Sequence, residues 1–263
     1  MKHILSKDNQ KIKTACQLKN KKYRKREQAF IIEGKKMLEE ALRCSDLLLR
    51  VFVDESLEGE YQAMSEIYPQ VEWYVCDSKL INILSDTESP QGVVSVARIP
   101  QWSWKEISSA EPFLLLLDQI SDPGNLGTII RTGWALGADG VLLTEDCVDP
   151  YNPKVVRSSM GGIFHLPVFP NIGTGELQLL KNQGYKFLCS SLQASQSCYK
   201  LDFTKKSVVV IGSESRGVSQ EIITWCDTLF KIPINSQVDS LNAAVACAII
   251  IYEAYKQRIA PSL

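Results

Sequence analysis

Residues 113–137 read FLLLLDQISDPGNLGTIIRTGWALG, and this stretch decides the fold. It opens with five apolar residues in a row, 113–117. A strand with one wet face alternates polar and apolar side chains. An unbroken run marks a strand buried on both faces, as in a parallel sheet. Asp122-Pro123-Gly124-Asn125 has the composition of a turn. A helix is predicted over 126–136, closed by Gly137. Downstream, strands are predicted at 140–143, 165–169, 186–190, 207–212 and 229–232, with helices at 154–160, 176–181, 220–226 and 241–255. Such alternation predicts an α/β unit, a parallel sheet covered by helices, with ligands beyond the carboxyl ends of the strands.

Upstream the pattern is smaller and more polar. Residues 10–28 read as loop and helix, 30–32 as a short strand, and 37–42 as a helix opened by Gly34. Strands follow at 48–53, 72–75 and 92–97. Residues 98–112 hold two Pro, two Trp and several Ser with no clear period, so they read as a linker. The predicted division is 1–100 and 112–263.

Composition removes several classes. Of 263 residues, 45% are hydrophobic and 22% charged, the balance of a chain that buries a core. No run of about 18 apolar residues occurs, so no membrane span is expected. Nor does the N-terminus carry a signal-peptide pattern. Eight cysteines are scattered without a C-x-x-C pair, which argues against zinc and against a disulfide framework and fits a reducing, cytoplasmic setting. With only His3 and His165, no metal is expected. The net charge is −1, but residues 1–36 hold twelve Lys/Arg and three Asp/Glu, a local +9. A basic segment of this kind suits a nucleic-acid partner, or simply a solvated tail.

Neither G-x-G-x-x-G nor a phosphate loop is present. Polar and Gly-rich residues gather instead at three strand ends. The first cluster runs from Asp122 to Arg131. Asn125 could cap the helix, and Arg131, six residues on and about 9 Å along the axis, could bind an anion or solvent. The second is Gly212-Ser213-Glu214-Ser215-Arg216-Gly217, where a carboxylate follows an aliphatic run. The third is Ile232-Pro233 through Ser240-Leu241-Asn242, with Ser240 as a plausible cap of a helix apolar on every side. Such a helix is expected to be buried completely, in the core or in a subunit interface.

Taken together, Asn125-x5-Arg131, Gly212-x-Glu214-x-x-Gly217 and Ile232-Pro233…Ser240-Leu241-Asn242 resemble the three motifs of the SpoU/TrmH branch of the SPOUT RNA methyltransferases. The likeness covers about residues 112–257. Ser6…Asn9…Lys13…Arg24…Phe30-x-x-Glu33-Gly34…Glu40-Ala41-Leu42 is similar to that family's L30e-like RNA-binding domain. The resemblance implies a SPOUT α/β (trefoil) knot, a homodimer and S-adenosylmethionine as cofactor. It places Gly212, Ile232 and Leu241 against the cofactor, with Thr144 and Leu192 as further candidates. It implies methyl transfer to a ribose 2′-hydroxyl of RNA, ribosomal rather than transfer RNA. Arg131 is then catalytic, with Asn125, Glu214, Ser240 and Asn242 orienting it and the ribose. The family's assignment of Arg131 as base conflicts with an arginine pKa above about 12; a phosphate clamp is the alternative. Competing readings are a tRNA methyltransferase, a non-catalytic RNA-binding ribosome-assembly protein with a relic knot, and a base methyltransferase.

Overall fold

Two aliphatic runs lie side by side at the centre of the larger sheet. β6 (Phe113–Asp118) and β11 (Ser207–Gly212) pair in parallel from Ser207–Phe113 to Gly212–Asp118. Every residue of β6 is buried, as a strand covered on both faces requires. The computed structural model describes residues 1–44, 46–213 and 216–259. They form two units, Met1–Gln101 with Tyr151–Phe164, and Trp102–Pro150 with His165–Leu263.

The first unit runs β1 (Lys2–Ile4), α1 (Gln10–Gln17), α2 (Lys21–Glu27), β2 (Ala29–Glu33), α3 (Lys35–Arg43), β3 (Leu48–Asp54), α4 (Glu58–Ile67), β4 (Glu72–Cys76), α5 (Ser78–Leu84) and β5 (Val93–Arg98). Its sheet has the order β1-β4-β3-β5-β2, with β5 antiparallel to both neighbours. The pleat of β2 sends alternate side chains to opposite faces. Ala29 and Ile31 join Ile12 and Ala15 of α1 and Leu80, Ile81 and Leu84 of α5 in one core cluster. Phe30, on the other face, meets the rings of Tyr151 and Phe164 at 5.0 and 5.9 Å. These two aromatic residues flank a helix from far along the chain, α7 (Pro153–Ser159), which packs within this unit. Arg157 of α7 lies 3.1 Å from Asp86 and 3.7 Å from Glu33. Glu33 in turn accepts from the Ser85 hydroxyl at 2.6 Å and the Asp86 amide at 2.7 Å.

In the second unit, β6 is followed by α6 (Pro123–Ala135), β7 (Gly140–Leu143), β8 (Val168–Phe169), α8 (Thr174–Asn182), β9 (Lys186–Ser190) and β10 (Gln196–Ser197). After β11 come α9 (Gln220–Ile223), β12 (Thr228–Lys231) and α10 (Ala243–Ile259). The seven strands are all parallel, in the order β10-β12-β9-β11-β6-β7-β8. The α/β class with a parallel sheet and a smaller N-terminal unit is therefore observed. The two units divide after Gln101, inside the stretch read as a linker, and within the second unit Trp104 stacks on Phe169 at 4.5 Å with rings 5° apart. The last helix, expected to be buried in the core or in a subunit interface, is covered on one side within the chain. It packs on α6 and β11 with a stripe that includes Ala243, Cys247, Ile250 and Ala254, while Val245 and Tyr252 remain 50% and 60% exposed. Among the described residues no helix is long and apolar enough to cross a membrane.

The end of α10 is fastened to the chain before β11. Arg258 donates to the carbonyls of Phe203 (2.8 Å), Glu111 (2.7 Å) and Lys205 (3.2 Å), and its guanidinium lies 5.3 Å from the Phe113 ring centre. Gln257 donates to the Leu201 carbonyl and accepts from the Phe203 amide. Arg258→Ala removes charge-assisted bonds to three carbonyls. It is expected to cost about 3 kcal/mol of stability, read as a lower urea midpoint at constant slope.

Candidate active site

The helix after β6 starts earlier than the sequence suggests. Asp122, not Asn125, is the cap of α6: its carboxylate accepts the Asn125 amide at 2.8 Å, and Pro123 occupies the first turn, where its missing N–H costs nothing. The Asn125 side chain is thereby released from capping. Its Oδ1 accepts from Asn242 Nδ2 at 3.0 Å. Asn242 also caps α10, where Ser240 was expected to do so: its Oδ1 accepts the amides of Ala244 at 3.0 Å and Val245 at 3.2 Å. One side chain thus starts the last helix and joins the first motif to the third.

The two ends of the second motif lie close together. Ser213 and Gly217 bridge, with the Gly217 amide donating to the Ser213 carbonyl at 2.8 Å. Gly217 has φ +69°, a left-handed conformation that suits glycine. At Gly212 the constraint is space: a Cβ there would overlap the Gly217 carbonyl and the Val218 amide nitrogen. Glu214 lies outside the described residues.

Beyond the carboxyl ends of β9, β11 and β12 is a cleft of about 500 Å³. Of the residues singled out from sequence, Gly212, Leu192, Ile232, Ser240 and Leu241 line it together. Thr144 does not. Its hydroxyl donates to Asp118 at 3.1 Å and accepts the Gln119 amide at 3.1 Å, which occupies it within the strand ends. Asn125 and Asn242 are joined to each other, and Asn242 adjoins the lining residues Leu241 and Ala243. Arg131 lies on the exposed side of α6 with Thr128 and Trp134. Among the described residues it makes no hydrogen bond or ion pair. Trp134 stacks on His165 at 4.5 Å with rings 6° apart.

The cleft fits S-adenosylmethionine chemically. Ile232, Leu241 and Leu192 offer apolar walls for a purine, Gly212 brings bare backbone to the surface, and Ser240 supplies a hydroxyl. The volume falls in the range of small-molecule sites. Cys189 also lines the cleft; the neighbouring Cys189 thiol and burial push the Cys226 thiol well above its usual range. Sequence reading missed three residues here. Arg216 and Lys231 line the cleft as its cations. Asp118 is a buried carboxylate at the end of β6. The available signals were a lone Arg inside a Gly-bounded turn and an acid terminating an apolar run. Gly212→Ala is expected to cost about 3 kcal/mol through overpacking and to abolish donor binding, read by thermal melting and calorimetry with S-adenosylmethionine.

The chain is similar to known proteins over nearly its whole length. Residues 112–252 match the SpoU rRNA Methylase family, and 9–95 match the MRM3-like substrate binding domain. The chain is 32% identical to the 23S rRNA (guanosine(2553)-2′-O)-methyltransferase RlmP of Bacillus subtilis, over 96% of this chain and 98% of that protein. Among solved structures, an AdoMet-bound rRNA methyltransferase from Sinorhizobium meliloti superimposes with a TM-score of 0.87 at 28% identity, covering 97% of each chain. The SpoU methyltransferase AviRb from Streptomyces viridochromogenes, in complex with the cofactor AdoMet, gives 0.87 at 29% identity over 96% of this chain and 99% of that one. The chain belongs to the SpoU rRNA methylase family, within the SPOUT methyltransferases.

Proposed function

We propose that the protein is an S-adenosylmethionine-dependent methyltransferase acting on a ribose 2′-hydroxyl of ribosomal RNA. The observation that carries this reading is the Asn242–Asn125 bond of 3.0 Å, which ties the helix bearing Arg131 to the segment that walls the donor cleft. When bound, S-adenosylmethionine supplies an electrophilic methyl group on a sulfonium centre. Gly212, Ile232, Leu241 and Leu192 hold its adenosyl part. Asn125, Ser240 and Asn242, with Glu214, orient the ribose. Arg131 is the phosphate clamp: a guanidinium is donor-only and permanently charged, and its planar fork matches a phosphate. A permanently charged group beside the 2′-oxygen also stabilises the negative charge that develops there.

Ribosomal rather than transfer RNA is favoured because the relatives named above, matched across both units, are rRNA enzymes. The first unit then serves as the RNA-binding domain. A homodimer fits the exposed Val245 and Tyr252 on α10. A trefoil knot in the catalytic unit and a cytoplasmic location complete the reading; all eight cysteines are free thiols, as a reducing compartment requires. The test is nucleotide-resolution mass mapping of rRNA and tRNA from cells with and without the protein. A 2′-O-methyl ribose in rRNA, present only with the protein, is the expected result. A methyl on a base, or only in tRNA, overturns it.

A further inference from the structure

We propose that Asp118 is a positioning residue that shapes the donor cleft by latching the motif-two turn from the neighbouring strand. The inference rests on the reading of the cleft as the S-adenosylmethionine site. Asp118 ends β6, opposite Gly212 in the register with β11. It is 2% exposed. A carboxylate so buried is costly unless its oxygens are engaged. One oxygen accepts the Ser219 amide at 2.7 Å, and the other accepts the Thr144 hydroxyl at 3.1 Å.

The position of Ser219 gives the first contact its meaning. Ser213 after β11, and Arg216, Gly217 and Val218 before α9, form the cleft edge, and Ser219 caps α9. At one place the turn is closed by the Ser213–Gly217 bridge. Its return is pressed on Gly212 so closely that no Cβ fits between. Asp118 holds the far side of that return, two residues beyond Gly217. The second contact fixes the carboxylate itself: Thr144 binds both Asp118 and the Gln119 amide, so the ends of β6 and β7 set where the acceptor points. Asp118 does not line the cleft. It acts through the turn.

Asp118→Leu keeps roughly the shape of the side chain but removes both acceptor oxygens. Three measurements separate the outcomes. In hydrogen exchange, the peptide spanning 213–219 is expected to exchange at least about tenfold faster, while β6 and β11 keep their protection. By calorimetry, the S-adenosylmethionine dissociation constant is expected to rise about tenfold. In steady-state assays, KM for S-adenosylmethionine rises by a similar factor with kcat retained at saturation. A general loss of structure would instead lower kcat through the active fraction and leave KM alone. That result, or unchanged exchange and affinity, overturns the proposal. If the Leu variant does not fold, Thr144→Val removes only the second donor and is expected to raise the dissociation constant about threefold; no change there also overturns it. Failure of the wild-type protein to bind S-adenosylmethionine would refute the functional reading instead, and the exchange measurement would still decide the latch.

Discussion

Arg131→Lys is expected to lower methyl transfer at least about 100-fold while leaving S-adenosylmethionine affinity unchanged. Lysine keeps the charge of Arg131 but loses the planar fork that engages two phosphate or hydroxyl oxygens at once. Arg131 is exposed on α6 and is not among the residues lining the donor cleft, so removing its guanidinium leaves the cleft walls intact. It takes no part in any internal bond among the described residues, so the fold should not register the change; the melting temperature is the control. Single-turnover kinetics at saturating donor and RNA provide the measurement. Near-normal turnover by the lysine variant would remove Arg131 from the chemistry both as clamp and as base.

Replacing Lys21, Lys22 and Lys25 together with alanine is expected to weaken RNA binding roughly tenfold or more and to reduce the salt dependence of binding by about two to three phosphate contacts. Elimination leaves six of the twelve, and these three are chosen from them because they share one helix, whereas Lys2, Lys7 and Lys36 lie apart. Of the twelve cations in residues 1–36, Arg24 is buried and donates to the Leu18 and Lys19 carbonyls. Lys19 binds the carbonyls of Ile83 and Ser85. Lys11 pairs with Glu72, Lys13 with Asp8, Arg26 with Glu27 and Lys35 with Glu60. Lys21, Lys22 and Lys25 are exposed on the single short helix α2, and their side chains have no partner among the described residues. Filter binding across a salt series reads both quantities. A slope equal to that of the wild-type protein would mean that RNA approaches another face.

The contrast between those two groups of cations shows where sequence reading stops. A count of Lys and Arg identifies a basic segment, but whether a cation is spent on a carbonyl depends on what the fold brings near it. The same limit applies to the helix caps. Asp122 and Asn125, or Ser240 and Asn242, are equally good capping residues. Only the backbone conformation decides between them, and the losing residue is the one released for other work. The unbroken aliphatic runs of β6 and β11 were legible because burial on both faces leaves no other composition. β8 and β10 are two-residue strands, too short to carry a period. Thr144 was placed near the cofactor by resemblance; its hydroxyl is committed to Asp118 and Gln119, and that carboxylate partner is the residue that sequence reading passed over. Arg131 stood out as a charge in an apolar helix and Gly212 as the glycine ending an aliphatic strand, whereas Ile232 and Leu241 were placed at the cofactor by the family resemblance.

The placement of α7 bears on how such proteins can be recombined. The first unit is assembled from two separate stretches of chain, and Phe30 depends on Tyr151 and Phe164 for its aromatic neighbours. A chimera that exchanges only residues 1–101 with a relative would graft a foreign surface against the native 151–164 segment. Specificity for a new RNA would then have to be transplanted as a matched pair of cassettes, and homologues that diverge in one stretch should carry compensating changes in the other.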